Sequence, residues 1–271
     1  MDQGTAERLR RESRARAAAR APGPEVAAVD DLDAGGVRVR RYAAQPGEPA
    51  VVAVYAHGGY FVVGDLDSQD AYCRRLTAAI GGVVYSVDYA LAPEARAEES
   101  IAGFLAAARL AHSEHPDGAL VLSGDSAGGA IAFVAAARLR DEGMPVAALF
   151  LTNPSLDLSL AVADRTVDGG PDLDLLADAV AAWAGSDAAA PGVDPARTPV
   201  DGLPPTIIAV GTRDALRPEA VHMHERLSAA GVPGRLILLE GVGHGFVGGG
   251  TVGDAEARDQ ALAALGELLA R

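Results

Sequence analysis

The stretch Gly124-Asp125-Ser126-Ala127-Gly128-Gly129 constrains this chain more than any other, because it joins a strand-forming run to a helix-forming one. Before it, Ala119-Leu120-Val121-Leu122 is short and apolar, as a buried strand is. After it, residues 130–139 contain neither Gly nor Pro and favour helix. The serine therefore stands at a strand-to-helix bend, in the G-x-S-x-G pattern of a nucleophile elbow. Glycine is required at 124 and 128, since side chains there would collide as the backbone folds back. Such a turn lifts the Ser126 hydroxyl above the sheet and leaves the next N–H groups at a helix N-terminus. The pentapeptide alone fits equally a serine that only caps its helix, so the rest of the chain has to decide.

A second glycine motif lies upstream. Val51-Val52-Ala53-Val54-Tyr55 reads as a buried strand and runs straight into His57-Gly58-Gly59-Tyr60. Without a Cβ, the backbone at Gly58 and Gly59 can approach a substrate oxygen closely. Their N–H groups, joined by that of Ala127, are the expected oxyanion donors. Loss of one such donor typically costs about 2.7–4 kcal/mol of barrier.

A serine at its free pKa is a poor nucleophile and needs a base, itself oriented by an acid. Thr206-Ile207-Ile208-Ala209-Val210 reads as a strand, and Gly211-Thr212-Arg213-Asp214 leaves its end. Arg235-Leu236-Ile237-Leu238-Leu239 is the next strand, followed by Gly243-His244-Gly245-Phe246. Asp214 fits either a catalytic acid or the N-cap of the following helix. Asp157, after the strand at 147–151, is the reserve acid. His57 is expected to brace the glycine loop. His222 and His224 stand two apart on a helix and share no face, so they make a poor metal pair. His112 and His115 read as surface residues. Neither a metal nor a cofactor is expected.

Taken together, several motifs are similar to those of the hormone-sensitive-lipase group of α/β-hydrolases, bacterial esterase family IV. They are His57-Gly58-Gly59, Gly64-Asp65-Leu66-Asp67-Ser68, Asp88-Tyr89-Ala90-Leu91-Ala92-Pro93-Glu94, the elbow hexapeptide and Gly243-His244-Gly245-Phe246. The resemblance runs from about Val51 to the end. It implies an α/β fold with an eight-stranded, mostly parallel sheet flanked by helices and a small helical cap. It also implies a triad of Ser126, Asp214 and His244, in the chain order that fold uses. The oxyanion hole would be Gly58, Gly59 and Ala127, and Tyr60, Phe61, Asp125, Trp183 and Phe246 are expected to contact substrate. The chain departs from the group's pattern at Tyr60, which replaces a third glycine, and at Ala90, where arginine is usual. Ala95-Arg96-Ala97-Glu98-Glu99 replaces the usual Pro-Phe-Pro. Asp214-Ala215-Leu216-Arg217-Pro218-Glu219 stays close to the group's acidic motif. The segment before the first motif is short, which suggests a trimmed cap and an open site. The expected activity is hydrolysis of carboxylic esters with short to medium acyl chains. Lactonase, amidase, acyltransferase, lyase or cyclase activity on the same scaffold is the alternative, or a receptor-like binding role.

Composition agrees with that reading. The 271 residues, 49% hydrophobic, suffice for one large domain with a small cap. A net charge of −14 argues against nucleic acid or anionic membrane as partner, leaving a small-molecule ester and, at most, a second copy in a homodimer. The lack of lysine and the abundance of alanine fit a high-GC bacterial genome. Cys73, the one cysteine, precludes an internal disulfide and suits a reducing cytoplasm, with a core-packing role on a helix at 72–80. No run of about 18 apolar residues offers a membrane span. Residues 5–20 are Arg-rich and lack an apolar segment, so no secretory signal is expected.

The expected division is a cap helix or tail at 1–24, hydrolase core at 25–157 and 204–271, and a cap insertion at 158–203. An early antiparallel strand is expected at 37–42 and a buried strand at 83–87, after a Gly81-Gly82 helix stop. Helices are expected at 100–112 and 173–183, with loop from 191 to 205 and a flexible turn at Gly248-Gly249-Gly250. Leu175, Leu176, Val180 and Trp183 are expected to face the pocket.

Overall fold

Aliphatic strands and alanine-rich helices alternate through most of the chain and assemble into one eight-stranded sheet. The structure is a computed structural model, which describes residues 1–249 and 253–270. The strands are β1 (Ala28–Asp33), β2 (Arg38–Ala43), β3 (Val51–Ala56), β4 (Val83–Val87), β5 (Ala119–Asp125), β6 (Ala148–Thr152), β7 (Thr206–Gly211) and β8 (Gly234–Leu239). Their spatial order is β1-β2-β4-β3-β5-β6-β7-β8. β2 runs antiparallel to both of its neighbours and every other pair is parallel, so β2 alone is reversed. The central strands β4, β5 and β6 are buried along nearly their whole length, as parallel strands covered on both faces must be.

The helices are α1 (Gln3–Ala18), α2 (Asp70–Ile80), α3 (Ala97–Glu114), α4 (Ala127–Asp141), α5 (Leu173–Trp183), α6 (Arg217–Ala229) and α7 (Asp254–Leu269). One buried cluster joins residues of α3, α4 and α5 to one face of the sheet, and a second joins α2 and α7 to the other. α2 stops at Gly81, whose φ of 60° is the left-handed cap foreseen in the sequence. No helix among the described residues is long and apolar enough to cross a membrane.

Several local expectations change. β1 was not foreseen, because Ala28-Val29-Asp30-Asp31-Leu32-Asp33 carries three aspartates and no apolar alternation. It is held by its ladder to β2 and by the pairs Asp31–Arg40 and Asp30–Arg41, at 2.6 and 2.9 Å. α3 begins three residues before and ends two after its expected bounds. The loop expected at 191–205 contains a short 3₁₀ turn, Pro195–Arg197, whose Ala196 N–H donates to the Asp194 carboxylate. The N-terminal segment is helical. Arg10 anchors it by donating to the Val62 and Ala92 carbonyls, each at 2.9 Å, and to both carboxylate oxygens of Glu94. Phe246–Gly248 forms a 3₁₀ turn, and Gly250 of the expected flexible turn lies outside the described residues.

Candidate active site

β5 ends at Asp125 and α4 begins at Ala127, with Ser126 between them at φ 52°, ψ −117°. A non-glycine residue there is strained and persists only where its surroundings hold it. Those surroundings are visible. The Ser126 N–H donates to the Thr152 carbonyl at 2.9 Å, and the Ser126 carbonyl accepts from Gly129 and Ser155 at 2.9 and 3.0 Å. The flanking glycines have no room for a side chain. A Cβ on Gly124 would lie 2.1 Å from the Gly128 carbonyl oxygen, and one on Gly128 would lie 2.1 Å from that of Ala56.

His244 and Asp214 arrive from the carboxyl ends of β8 and β7. His244 Nε2 is 2.9 Å from Ser126 Oγ, and His244 Nδ1 is 2.8 Å from Asp214 Oδ2. The other oxygen of Asp214 accepts from the Leu216 N–H at 2.9 Å. One carboxylate therefore both shapes its own turn and orients the imidazole, but it is not the N-cap of α6, whose cap position is Leu216 and has no side-chain cap bond. Because a carboxylate only accepts, it fixes the proton on Nδ1 and leaves Nε2 free to accept from the serine hydroxyl. Burial alone would lower the His244 pKa. The charge of Asp214 and its hydrogen bond outweigh that, and the pKa rises above its ordinary value. Asp157, the reserve acid, is turned to its own neighbour Ser159 instead.

Two features of this arrangement escaped the sequence reading. The first is Gly169-Gly170. The Gly169 carbonyl accepts from the His244 N–H at 2.5 Å, while a Cβ on Gly169 would lie 2.6 Å from the Arg213 carbonyl oxygen. A Cβ on Gly170 would lie 2.2 Å from the side-chain Cβ of Ala215. The pair is thus wedged between the loops that carry Asp214 and His244, and a Gly-Gly before a helix was the available signal. The second is Glu219, buried on α6. One of its carboxylate oxygens accepts from both Leu156 and Asp157 N–H, at 2.9 and 3.1 Å, fastening the loop after β6. Burial pushes its pKa up to about 8 despite those two bonds.

The glycine loop after β3 lies directly against the elbow. A Cβ on Gly58 would sit 2.5 Å from Asp125 Oδ2 and 3.2 Å from Ser126 Cβ. The Gly59 carbonyl accepts from Val62 and Val63. The N–H groups of Gly58, Gly59 and Ala127 have no hydrogen-bond partner among the described residues. His57 braces the loop, as expected. Its Nδ1 lies 2.9 Å from the Gly58 carbonyl, its ring stacks on Tyr89 at 4.3 Å, and the Tyr89 hydroxyl donates to the His57 carbonyl at 2.8 Å. Burial lowers its pKa, in keeping with a neutral structural imidazole.

Ser126 and His244 open onto a cleft of about 450 Å³, walled by Gly58, Gly59, Tyr60 and Asp125. Leu9, Ser13, Arg16 and Arg20 of the N-terminal segment and Leu175 of α5 complete it. Tyr60 and Asp125 thus stand where substrate contacts were expected, though Asp125 also accepts from Thr152 and Asn153 at 3.0 and 3.2 Å. Phe61, Trp183 and Phe246 do not. Phe61 and Trp183 are fully buried and stacked on each other, with ring centroids 4.0 Å apart, and the Trp183 indole donates to Ser100 Oγ at 2.9 Å. They pin α5 to the body, since a large apolar ring is stabilised more by packing than by facing an open cleft. Phe246 is buried in the cluster beneath α7. Leu176 and Val180 are likewise core residues, which leaves Leu175 as the only one of the four foreseen on α5 that reaches the cleft.

A strand–turn–helix serine, a following acid and a following histidine on the rim of a mostly parallel sheet define the α/β-hydrolase class. Residues 53–248 match the family Abhydrolase_3, described as having the alpha/beta hydrolase fold. Esterase LipI of Mycobacterium tuberculosis is 37% identical over 237 residues, spanning 81% of this chain and 73% of that protein. Carboxylesterase NlhH of the same organism is 34% identical over 241 residues, 80% of this chain and 74% of that one. Among solved structures, an esterase of Pyrobaculum calidifontis superposes with a TM-score of 0.86 at 29% identity, covering 99% of this chain and 94% of that one. A hormone-sensitive lipase from a metagenome library superposes with a TM-score of 0.81 at 27% identity, covering 96% and 94%. The chain belongs to the hormone-sensitive-lipase group of α/β-hydrolases.

Proposed function

We propose that this chain is a carboxylesterase that works through an acyl-enzyme on Ser126. The observation that carries the reading is the unbroken hydrogen-bonded line from Asp214 through His244 to Ser126. The esterase names of its relatives support it. His244 takes the hydroxyl proton as Ser126 Oγ attacks the ester carbonyl carbon, and Asp214 stabilises the imidazolium that forms. The N–H groups of Gly58, Gly59 and Ala127 receive the developing oxyanion. His244 then protonates the departing alkoxide, the alcohol leaves, and the acyl group remains on Ser126. A water, deprotonated by His244, attacks the acyl carbon and restores the serine.

A cleft of about 450 Å³ suits short to medium acyl chains. Residues 1–24 and 158–203 act as the cap, contributing Arg16, Arg20 and Leu175 to its wall. Burial pushes the Cys73 thiol up to about 12, so it is inert, and a reducing cytoplasm suits it.

The test is Ser126→Ala, assayed on p-nitrophenyl butyrate. Removal of the nucleophile should cut kcat by about 10⁶-fold with the fold intact by circular dichroism. Hydrolysis at the wild-type rate would refute the assignment.

A further inference from the structure

Next to the catalytic cleft lies a second recess of about 560 Å³, and its wall is cationic. Arg16, Arg20, Arg75 and Arg258 line it, and none of its described lining residues is an aspartate or glutamate. That is unexpected in a chain of net charge −14. A larger recess nearby, about 870 Å³, makes the contrast. It too is lined by four arginines, but each is paired: Arg10 with Glu94, Arg14 with Asp65, Arg38 with Asp88 and Arg40 with Asp67. In the smaller recess no guanidinium makes an ion pair among the described residues. Arg20 donates to the Ser68 carbonyl at 3.0 Å and Arg75 reaches that of Pro22 at 3.5 Å.

Arg258 carries the argument furthest. It projects from α7 with only 8% of its surface exposed, and its Nε has no hydrogen-bond partner among the described residues. Burying an unpaired guanidinium is costly, and such groups are normally kept paired. Burial and the repulsion of Arg75 lower the Arg258 pKa, against the attraction of Asp259 and Asp254 on the same helix. The recess also communicates with the catalytic site. Arg16, Arg20, Ser68, Gln69, Val247 and Gly248 line both. A Cβ on Gly248 would lie 2.8 Å from the Arg20 guanidinium, and one on Gly249 3.4 Å from that of Arg258. The two cations therefore rest on adjacent glycines of the loop that carries His244.

We propose that this arginine-lined recess binds an anionic oxyacid group of the substrate, a carboxylate or a phosphate. The preferred esters then carry negative charge away from the scissile bond. Guanidinium forks match both groups in a bidentate manner, which a single ammonium does not. The proposal rests on the esterase reading and narrows its substrate class.

The experiment compares p-nitrophenyl acyl esters of equal chain length that end in a methyl, a carboxylate or a phosphonate. kcat/KM should be at least tenfold higher for one or both charged series, and the larger gain identifies the source of the anion. Arg75→Gln and Arg258→Gln should each lower the charged-to-neutral ratio at least tenfold, while Arg258→Lys lowers it less. Melting temperatures identify any variant that fails to fold, and the half-buried Arg75 provides the milder substitution. Binding of octanedioate to Ser126→Ala, measured by calorimetry, reads the recess without catalysis and should weaken at least tenfold when Arg75 is replaced. Equal rates for neutral and charged esters, or a ratio that the arginine variants leave unmoved, would overturn the proposal. Turnover of no ester by the wild type would sink the esterase reading instead, while the calorimetry still judges the recess.

Discussion

His244 is held by two opposed influences, and the sign of their sum is testable. Burial disfavours its charged form, but Asp214 more than compensates, so the folded pKa lies above the ordinary 6.5. Catalysis needs the neutral imidazole, so the acid limb of kcat/KM should lie above pH 6.5. Stability follows the opposite course. The extra protonation of the folded state stabilises it fully below about 6.5 and is lost as pH rises through the folded pKa. Asp214→Asn should lower kcat by about 10⁴-fold and move the acid limb downward. It should also remove the stability gained at acid pH, read as a melting temperature that changes less between pH 5 and 8. An acid limb that stays put would mean that Asp214 does not set the imidazole's charge.

Among the elements, the loops after β7 and β8 matter most, because their separation decides whether Asp214 and His244 meet. Gly169-Gly170 occupies the space between them. With 2.6 Å to the Arg213 carbonyl, a methyl at 169 must push that loop aside. Gly169→Ala should lower kcat by about 10–10² fold, since catalysis tolerates displacements of only a fraction of an ångström. Gly266→Ala on α7, where a Cβ meets nothing within 4 Å, is the control and should leave kcat at the wild-type value. An unchanged rate in Gly169→Ala would remove the wedge from this account. Much of this scale was legible beforehand. The elbow, the glycine loop and the strands before Asp214 and His244 announce themselves through short apolar runs ending in Gly-rich turns. β1 did not, because its stability comes from pairing and arginine contacts instead of from a buried apolar face. Nor did the roles of Phe61, Trp183 and Phe246. Aromatic residues near a motif serve cleft and core equally well, and only the packing of α5 and α7 decides between them.

At the level of the whole molecule, the sheet explains why residues far apart in sequence share one site. β3, β5, β7 and β8 run parallel, so Gly58, Ser126, Asp214 and His244 all emerge at their carboxyl ends. Ligands of open α/β sheets gather on that rim for the same reason. The helix at the N-terminus and the excursion between β6 and β7 each contribute residues to the cleft wall. Arg10 fastens the first, and the Phe61–Trp183 stack fastens the second. The arginine recess arises only at this scale, from a helix at each end of the chain and from α2 between them. Nothing in its separate segments marked it.

The most direct test of the account is a fluorophosphonate label, located by peptide mass spectrometry on the native protein. The expected result is one phosphonate per chain, on Ser126, with labelling greatly slowed in His244→Ala. Labelling of another residue at the same rate, or none at Ser126, would contradict it.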